Sequence, residues 1–239
     1  MIRQLLKRRR RWILIDIDTQ MDFFIPGGNT CIRNHRRVLA NVRRIMAWAR
    51  HNNIRIISIC EVNNNNNGNN NNGNNEADHH INDTEGQKKL RYTLLSSRTS
   101  FVADDSTDIP EDILQRYRQI ILHKRCVDPF DEPRIERLLT EVRADNFLII
   151  GAGAEEAVAA TALGLLQRRK KVSIVVDAVG SFDKRNAELA FRKMGTKGAK
   201  LIETKKLAGV SHLKGVGICH CEMCQERARQ TTLKIRAEH

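Results

Sequence analysis

Residues 13–24 read ILIDIDTQMDFF, an apolar run cut by carboxylates at Asp16, Asp18 and Asp22. Further on, ILHKRCVDPF sets Lys124 at the end of another apolar run, and LIIGAGAEEAVAATALGLL carries a third run into a Gly-Ala-Gly turn. A carboxylate facing an ammonium across a crevice suits proton transfer, because each partner favours the charged form of the other. A glycine turn leading into a helix can present backbone N–H groups to an anion. A separate chemistry sits near the C-terminus in Cys219-His220-Cys221-Glu222-Met223-Cys224. Cys221 and Cys224 have the Cys-x-x-Cys spacing of a zinc knuckle, Cys219 adds a third thiolate, and His212, His220 or His239 would complete four ligands. A structural zinc, within one chain or shared between subunits, competes here with a set of reduced surface cysteines. A redox role is disfavoured because the motif does not follow a strand of a βαβ unit.

The elements that must position these residues alternate. Trp12 to Asp18 reads as a buried strand, and Asn34 to Asn52 as a helix with Val38, Leu39, Val42, Ile45, Met46 and Ala49 at helical spacing. Further strands are expected at Ile54 to Val62, Gln119 to His123, Asn146 to Ile150, Lys171 to Val176 and Ala199 to Glu203. Helices are expected at Pro133 to Val142, Glu155 to Arg168 and Lys184 to Met194. This order implies an α/β fold, a doubly wound three-layer parallel sheet with right-handed crossovers. In such sheets the site lies beyond the carboxyl ends of the strands, where Asp18, Lys124, Gly151 to Gly153 and Asp177 are expected. Asp16, two residues before Asp18 on the same face, needs a hydrogen-bond or charge partner; Asp22 is expected to fix the loop that follows. Glu155 and Glu156 suit a first helical turn. Asp128, Asp131 and Glu132 suit a helix cap before Pro133.

The chain has 239 residues, 41 of them Lys or Arg and 28 Asp or Glu, a formal charge of +13 concentrated toward the two ends. Such a balance attracts nucleic acid or an anionic surface. Only 5% of residues are aromatic, and no stretch of sequence interleaves them with basic residues, so nucleic acid is not the favoured partner. No apolar run approaches the ~20 residues of a membrane span. The basic start, MIRQLLKRRRRW, is followed too closely by Asp16 for a secretory signal, so a cytoplasmic location is expected. Three segments emerge: a basic arm at 1–11, one α/β domain at 12–210 and a basic Cys-rich tail at 211–239. The domain is interrupted at 63–75 by NNNNNGNNNNGNN, a stretch that cannot bury apolar area. Cys31, Cys60 and Cys126 are scattered and expected to be reduced.

Four motifs in order resemble the isochorismatase-like hydrolases, also called the cysteine hydrolase superfamily. They are ILIDIDTQMDF, with Asp18, Gln20, Asp22 and Phe23 in an Asp-x-Gln-x-Asp-Phe pattern; ILHKRCVDPF, with Lys124 and Phe130; LIIGAGAEEAVAATALGLL; and VSIVVDAVGS. The match spans most of residues 12–208. The resemblance implies an Asp–Lys–Cys triad in which Asp18 is the base for a thiol, Lys124 stabilises charge, and the thiol forms an acyl-enzyme. It places Gln20, Phe23, Gly153 and Ala154 against a small-molecule substrate, requires no cofactor for catalysis, and brings a homo-oligomer with it.

The sequence departs from that pattern where the family's nucleophile stands, at Ala157, whose methyl group cannot attack a carbonyl. Cys60 and Cys126 lie near strand ends rather than at a helix N-terminus, where the dipole would lower a thiol pKa. The family's Asp-x-His metal motif is not matched by EADHH, so Asp78, His79 and His80 read as loop residues. Three functions remain open. One is hydrolysis of an amide or vinyl ether by Asp18 and Lys124 without a thiol. A second is binding by an inactive family member. A third is a basic scaffold touching nucleic acid through its ends.

Overall fold

The computed structural model describes residues 11–26, 30–62 and 85–209. The Asn-rich stretch, the Asp78-His79-His80 cluster and the Cys-rich tail with Cys219, Cys221 and Cys224 lie outside the described residues, as does the basic arm up to Arg10.

In chain order the strands are β1 (Trp12–Ile17), β2 (Arg55–Glu61), β3 (Arg98–Phe101), β4 (Gln119–Lys124), β5 (Asn146–Gly151), β6 (Val172–Val179) and β7 (Lys200–Ile202). The helices are α1 (Met21–Phe24), α2 (His35–His51), α3 (Ile113–Arg116), α4 (Pro133–Glu141), α5 (Ala157–Gln167), α6 (Lys184–Thr196) and α7 (Thr204–Ala208). All pairings are parallel and the sheet order is β3-β4-β2-β1-β5-β6-β7. The chain winds outward from β1 to one edge and then from β5 to the other. The switch point therefore falls between β1 and β5, where a crevice opens at the strand ends.

The strands β1, β2, β4 and β5 are apolar on both faces for most of their length because both faces of a parallel sheet are covered; Asp16 in β1 and Ser58 in β2 are the buried polar exceptions in their strands. Ile13, Ile15 and Ile17 of β1 face the layer built by α4, α5 and α6, with Leu138, Leu139, Val158 and Leu165. Leu14 faces the layer of α2, with Val38, Val42, Ile45 and Met46. Leu14, Ile15 and Ile17 are fully buried, and each burial is worth about 1.5–3 kcal/mol. Basic Arg50 and His51 fill the last turn of α2, where they complement the helix dipole.

Three differences from the sequence expectation have physical causes. β3 has no apolar run, because RTSF is a four-residue edge strand with alternate residues exposed. β6 runs past Asp177 to Val179, so Asp177 does not open onto the crevice. Its carboxylate accepts hydrogen bonds from the Thr204 N–H (2.8 Å) and hydroxyl (2.9 Å), and its carbonyl accepts from Asn41 (2.7 Å), tying β6 to α7 and α2. Glu132, expected to cap α4, instead turns its carboxylate back to the Arg125 N–H and guanidinium, while Asp128 caps the turn before it by accepting from the Phe130 N–H at 3.0 Å.

Candidate active site

β1 delivers Asp18 to the crevice through a backbone that few residues adopt. Asp18 has φ +47°, in the left-handed region that aspartate tolerates better than most side chains. Its N–H donates to the Ile59 carbonyl at 2.8 Å, which holds the residue after the strand has ended. β5 approaches β1 closely at the same end. A Cβ on Gly151 would lie 1.9 Å from the Ile17 carbonyl oxygen, so only glycine fits there.

β4 brings Lys124 to the same point. Lys124 is fully buried, with Nζ 3.1 Å from Asp18 Oδ2 and 3.4 Å from Glu61 Oε2. The register that pairs Glu61 with Lys124 across β2 and β4 makes the second contact. The loop after Lys124 is locked by Phe130, whose ring sits against Gly164 of α5 so closely that a Cβ there would meet it at 2.2 Å. The Arg168 guanidinium covers the same ring, 3.9 Å from its centroid.

Burial pushes the Asp18 carboxyl up from its ordinary 3.8 to about 6; Lys124 pulls it down and Glu61 pushes it further up. For Lys124, burial works against the charge, but the Asp18 and Glu61 carboxylates outweigh it and hold the ammonium above its ordinary range. Asp18 Oδ1 is buried without a hydrogen-bond partner. Asp18 also lines a cavity of about 10 Å³, with Lys124, Gly153, Ala157 and Phe182 among its other walls. That is close to the space one water needs. A wider cavity of about 260 Å³ lies outside it, sharing Phe23, Glu61, Val127, Glu156 and Phe182 and adding Asp22.

The structure gathers most of the residues singled out in the sequence and gives them distinct positions. Ala157 is the first residue of α5, nearly buried, with its methyl in the crevice wall. Gly153 lines the same wall, and the Phe23 ring packs 6.1 Å from that of Phe182. Gln20 has both ends of its carboxamide occupied: Oε1 accepts from the Glu61 N–H (2.9 Å), and Nε2 donates to the carbonyls of Glu61 (2.8 Å) and Gln87 (2.7 Å). Its part is to hold Glu61. The Ala154 N–H is spent on the Gly180 carbonyl at 2.9 Å and the Ala152 N–H on Ile17 at 3.0 Å, so neither is aimed at an anion. Glu155 turns away from the crevice and accepts from the Phe182 and Asp183 N–H groups. Glu156 remains exposed at the rim, its carboxyl raised by partial burial and by Glu155 and Glu61.

Two residues were missed. Glu61 carries the same signal as Asp18, an acid ending an apolar strand, but it abuts the Asn tract. Lys89 has no sequence signal; its buried Nζ meets Asp16 Oδ2 at 2.5 Å, supplying the partner Asp16 needed. Cys60 lies buried among Asp16, Asp18, Lys89 and Lys124, and burial pushes its thiol up to about 12. A thiol so held stays protonated and is a poor nucleophile. Cys126 is exposed. Among the described residues no group of three His, Cys, Asp or Glu side chains is placed to hold a metal ion, and no helix is long and apolar enough to cross a membrane.

Solved structures of this shape have known names. The chain is similar to the MAR1 ribonuclease from Caenorhabditis elegans at 19% identity, covering 91% of this chain and 89% of that one with a TM-score of 0.55. An isochorismatase family protein from Desulfovibrio vulgaris matches at 17% identity over 83% and 96% of the two chains, TM-score 0.63. The nicotinamidase PncA from Bacillus subtilis matches at 18% identity over 81% and 99%, TM-score 0.60. No curated protein sequence matches the chain. The isochorismatase domain model matches residues 13–206, the whole sheet and the crevice with it. On that span, and with a hydrolase-like α/β fold around it, the chain belongs to the isochorismatase family.

Proposed function

We propose that this protein is a hydrolase that works by proton transfer at Asp18 and Lys124, without a cysteine nucleophile at position 157. The observation that carries the reading is the buried Asp18–Lys124 contact of 3.1 Å, with the Asp18 carboxyl lifted to about 6 and Asp18 lining a cavity with room for one water. A carboxyl poised near neutrality exchanges protons readily in both directions. With an amide, the Asp18 carboxylate takes a proton from the water that attacks the carbonyl, Lys124 offsets the charge that builds on oxygen, and Asp18 then returns the proton to the nitrogen as the C–N bond breaks and the amine leaves. With a vinyl ether, protonated Asp18 delivers its proton to carbon, water adds to the resulting cation and gives a proton back to the Asp18 carboxylate, and the hemiketal collapses with loss of the alcohol. Rate rising with pH through about 6 identifies the first reaction, and rate falling identifies the second. A small-molecule substrate enters by the outer cavity, past Phe23 and Phe182. A cytoplasmic location and a homo-oligomer go with this reading. The tail residues Cys219, Cys221 and Cys224 remain candidates for a structural zinc.

A second reading is favoured by the resemblance to a ribonuclease over nearly the full length of both chains and by the +13 charge. RNA carries its own nucleophile in the 2′-hydroxyl, so a site with a base, an ammonium and no thiol suits its cleavage. The deciding experiment presents purified protein with nicotinamide, N-carbamoyl amides, isochorismate and an oligoribonucleotide beside its 2′-deoxy counterpart. The Asp18→Asn variant is expected to lose about 10²–10⁴-fold in rate on whichever substrate turns over. Full activity in a folded Asp18→Asn protein removes Asp18 from the mechanism. Silence across the panel favours the binding role of an inactive family member.

A further inference from the structure

The basic and aromatic residues that no stretch of sequence interleaves are brought together by the fold, at the end of the sheet opposite Asp18. Trp12 opens β1 and Trp48 lies in the last turns of α2; their ring centroids are 5.8 Å apart and the planes are tilted by 54°. Both are half-buried, and both line a groove of about 1010 Å³ that runs under the starts of β1 and β2. Arg11, His51, Arg55 and Arg143 line the same groove. Arg55 and Arg143 form no ion pair among the described residues. A second cavity of about 500 Å³ shares Trp48 and His51 and adds Lys205 and Lys206. Two acids line the groove, Glu111 and Glu141, and Glu141 is engaged by Arg137 at 3.2 Å. Arg11, Arg55 and Arg143 outnumber Glu111, the one lining acid without an ion pair among the described residues, so the groove keeps a positive excess.

The chain topology adds to this. Described residues Arg11 and Gly209 both line these cavities, so segments 1–10 and 210–239 join the domain at this face. Residues 1–10 contain Arg3, Lys7, Arg8, Arg9 and Arg10. Among the described residues the face draws charge from Arg11, from Arg55 and Arg143, and from Lys205 and Lys206.

We propose that this groove is a binding surface for single-stranded nucleic acid. The Trp12 and Trp48 rings stack unpaired bases, and Arg11, Arg55, Arg143 and Lys206 neutralise the phosphates. Stacking on an indole face tolerates any base, and the arginine contacts make affinity fall with salt. A concave groove with aromatic walls admits a splayed single strand better than a rigid duplex. The inference stands apart from the reaction at Asp18, about 20 Å away along six residues of β1 at ~3.3 Å each.

The test uses a property of the chain: Trp12 and Trp48 are its two tryptophans, so all indole fluorescence reports on this groove. Full-length protein is titrated with a labelled single-stranded RNA of roughly 12 nucleotides, reading strand anisotropy and tryptophan emission together. Saturable quenching that tracks the anisotropy and weakens at high salt is the expected result. An Arg55→Glu/Arg143→Glu double variant is expected to bind at least about tenfold more weakly, with Arg55→Gln/Arg143→Gln as the milder control for folding. Equal affinity for a deoxy strand assigns the groove to single strands of either sugar. Anisotropy without quenching, unchanged in both double variants, places binding on the arm or tail and overturns the proposal. So does a preference for duplex, an absence of binding, or a dimer mass with tryptophans insensitive to RNA, which would give the groove to a second copy.

Discussion

Asp16 and Asp18 stand two residues apart and each meets a buried lysine, yet the two pairs are built for opposite ends. Asp16 faces the α2 layer, where Oδ2 accepts from Lys89 at 2.5 Å and from Ser58 at 3.1 Å. The network closes behind it: Gln119 donates to Ser58 (2.8 Å) and to the Thr93 carbonyl (2.9 Å) and accepts from the Leu95 N–H (2.7 Å). Backbone bonds stitch 88–90 to 19–21, Met21 to Lys88 and Leu90 to Thr19. Asp18 has no such enclosure. Each carboxylate keeps one buried oxygen without a hydrogen-bond partner, but the Asp18 lysine is shared with Glu61, whose side chain is 39% exposed, and Asp18 lines a small cavity. The same two side-chain types thus act as a clamp when the network is closed and as a proton-transfer site when one edge is open.

The largest test of that contrast is Lys89→Met. It leaves the Asp16 carboxylate buried beside Ser58 with no counter-charge, and removing one partner of a buried pair costs about 3–5 kcal/mol. Urea denaturation of Lys89→Met is expected to show a loss of that size, and Asp16→Asn/Lys89→Met is expected to recover part of it, since the neutral amide no longer needs the ammonium. A loss under about 1 kcal/mol would mean the clamp contributes nothing to the fold. Asp18→Asn, by contrast, is expected to fall mainly on rate.

The next effect is on pH. The Asp18 carboxyl stands at about 6 because burial raises it most, Lys124 lowers it and Glu61 raises it. Glu61→Gln removes one of the two raising influences and leaves the lowering one, so the inflection of the rate profile is expected to move to lower pH. Removal of the lysine charge by Lys124→Gln moves it the other way. An unmoved inflection in Glu61→Gln would show that the titrating group is not Asp18. The same shift affects stability. Below pH 3.8 the carboxyl is neutral in both states. Between 3.8 and about 6 the unfolded chain ionises first, so this group takes stability from the fold as pH rises through that window and holds the loss above it.

Most of the sheet was legible in the sequence because central parallel strands are buried on both faces and read as apolar runs, as at Ile13 to Ile15 and Phe147 to Ile150. β3 was not, because an edge strand of four residues needs no such run. Asp18 and Lys124 were legible as charges at strand ends. Lys89 was not, because it meets Asp16 only through a connection 73 residues away in sequence. Asp177 misled for the opposite reason: a strand-end acid reads the same whether it faces the crevice or, as here, caps Thr204 across the sheet. The tryptophan pair lies between these cases, since each ring is visible in the sequence and only the winding of β1 and α2 brings them to 5.8 Å.

The smallest expected change in stability comes from Ala157→Cys, and it separates the open site from the closed one most sharply. Ala157 is 4% exposed and borders the cavity of about 10 Å³, so a sulfur there fills space that a water would use and crowds its neighbours at the low end of the about 1–3 kcal/mol that added core volume costs. The introduced thiol begins α5, where the helix dipole favours a thiolate, and Lys124 lines the same crevice. Cys60 lies in the closed region, its thiol pushed up to about 12 by burial. Iodoacetamide is therefore expected to label the introduced thiol of Ala157→Cys well before Cys60, with mass spectrometry resolving both from the exposed Cys126. If the introduced thiol and Cys60 react at the same slow rate, the crevice is as sealed as the clamp, and water has no route to Asp18. Rapid labelling at position 157 with no gain in amide hydrolysis would instead show an accessible crevice whose donors do not stabilise an oxyanion. That outcome fits the Ala152 and Ala154 N–H groups being spent on Ile17 and Gly180.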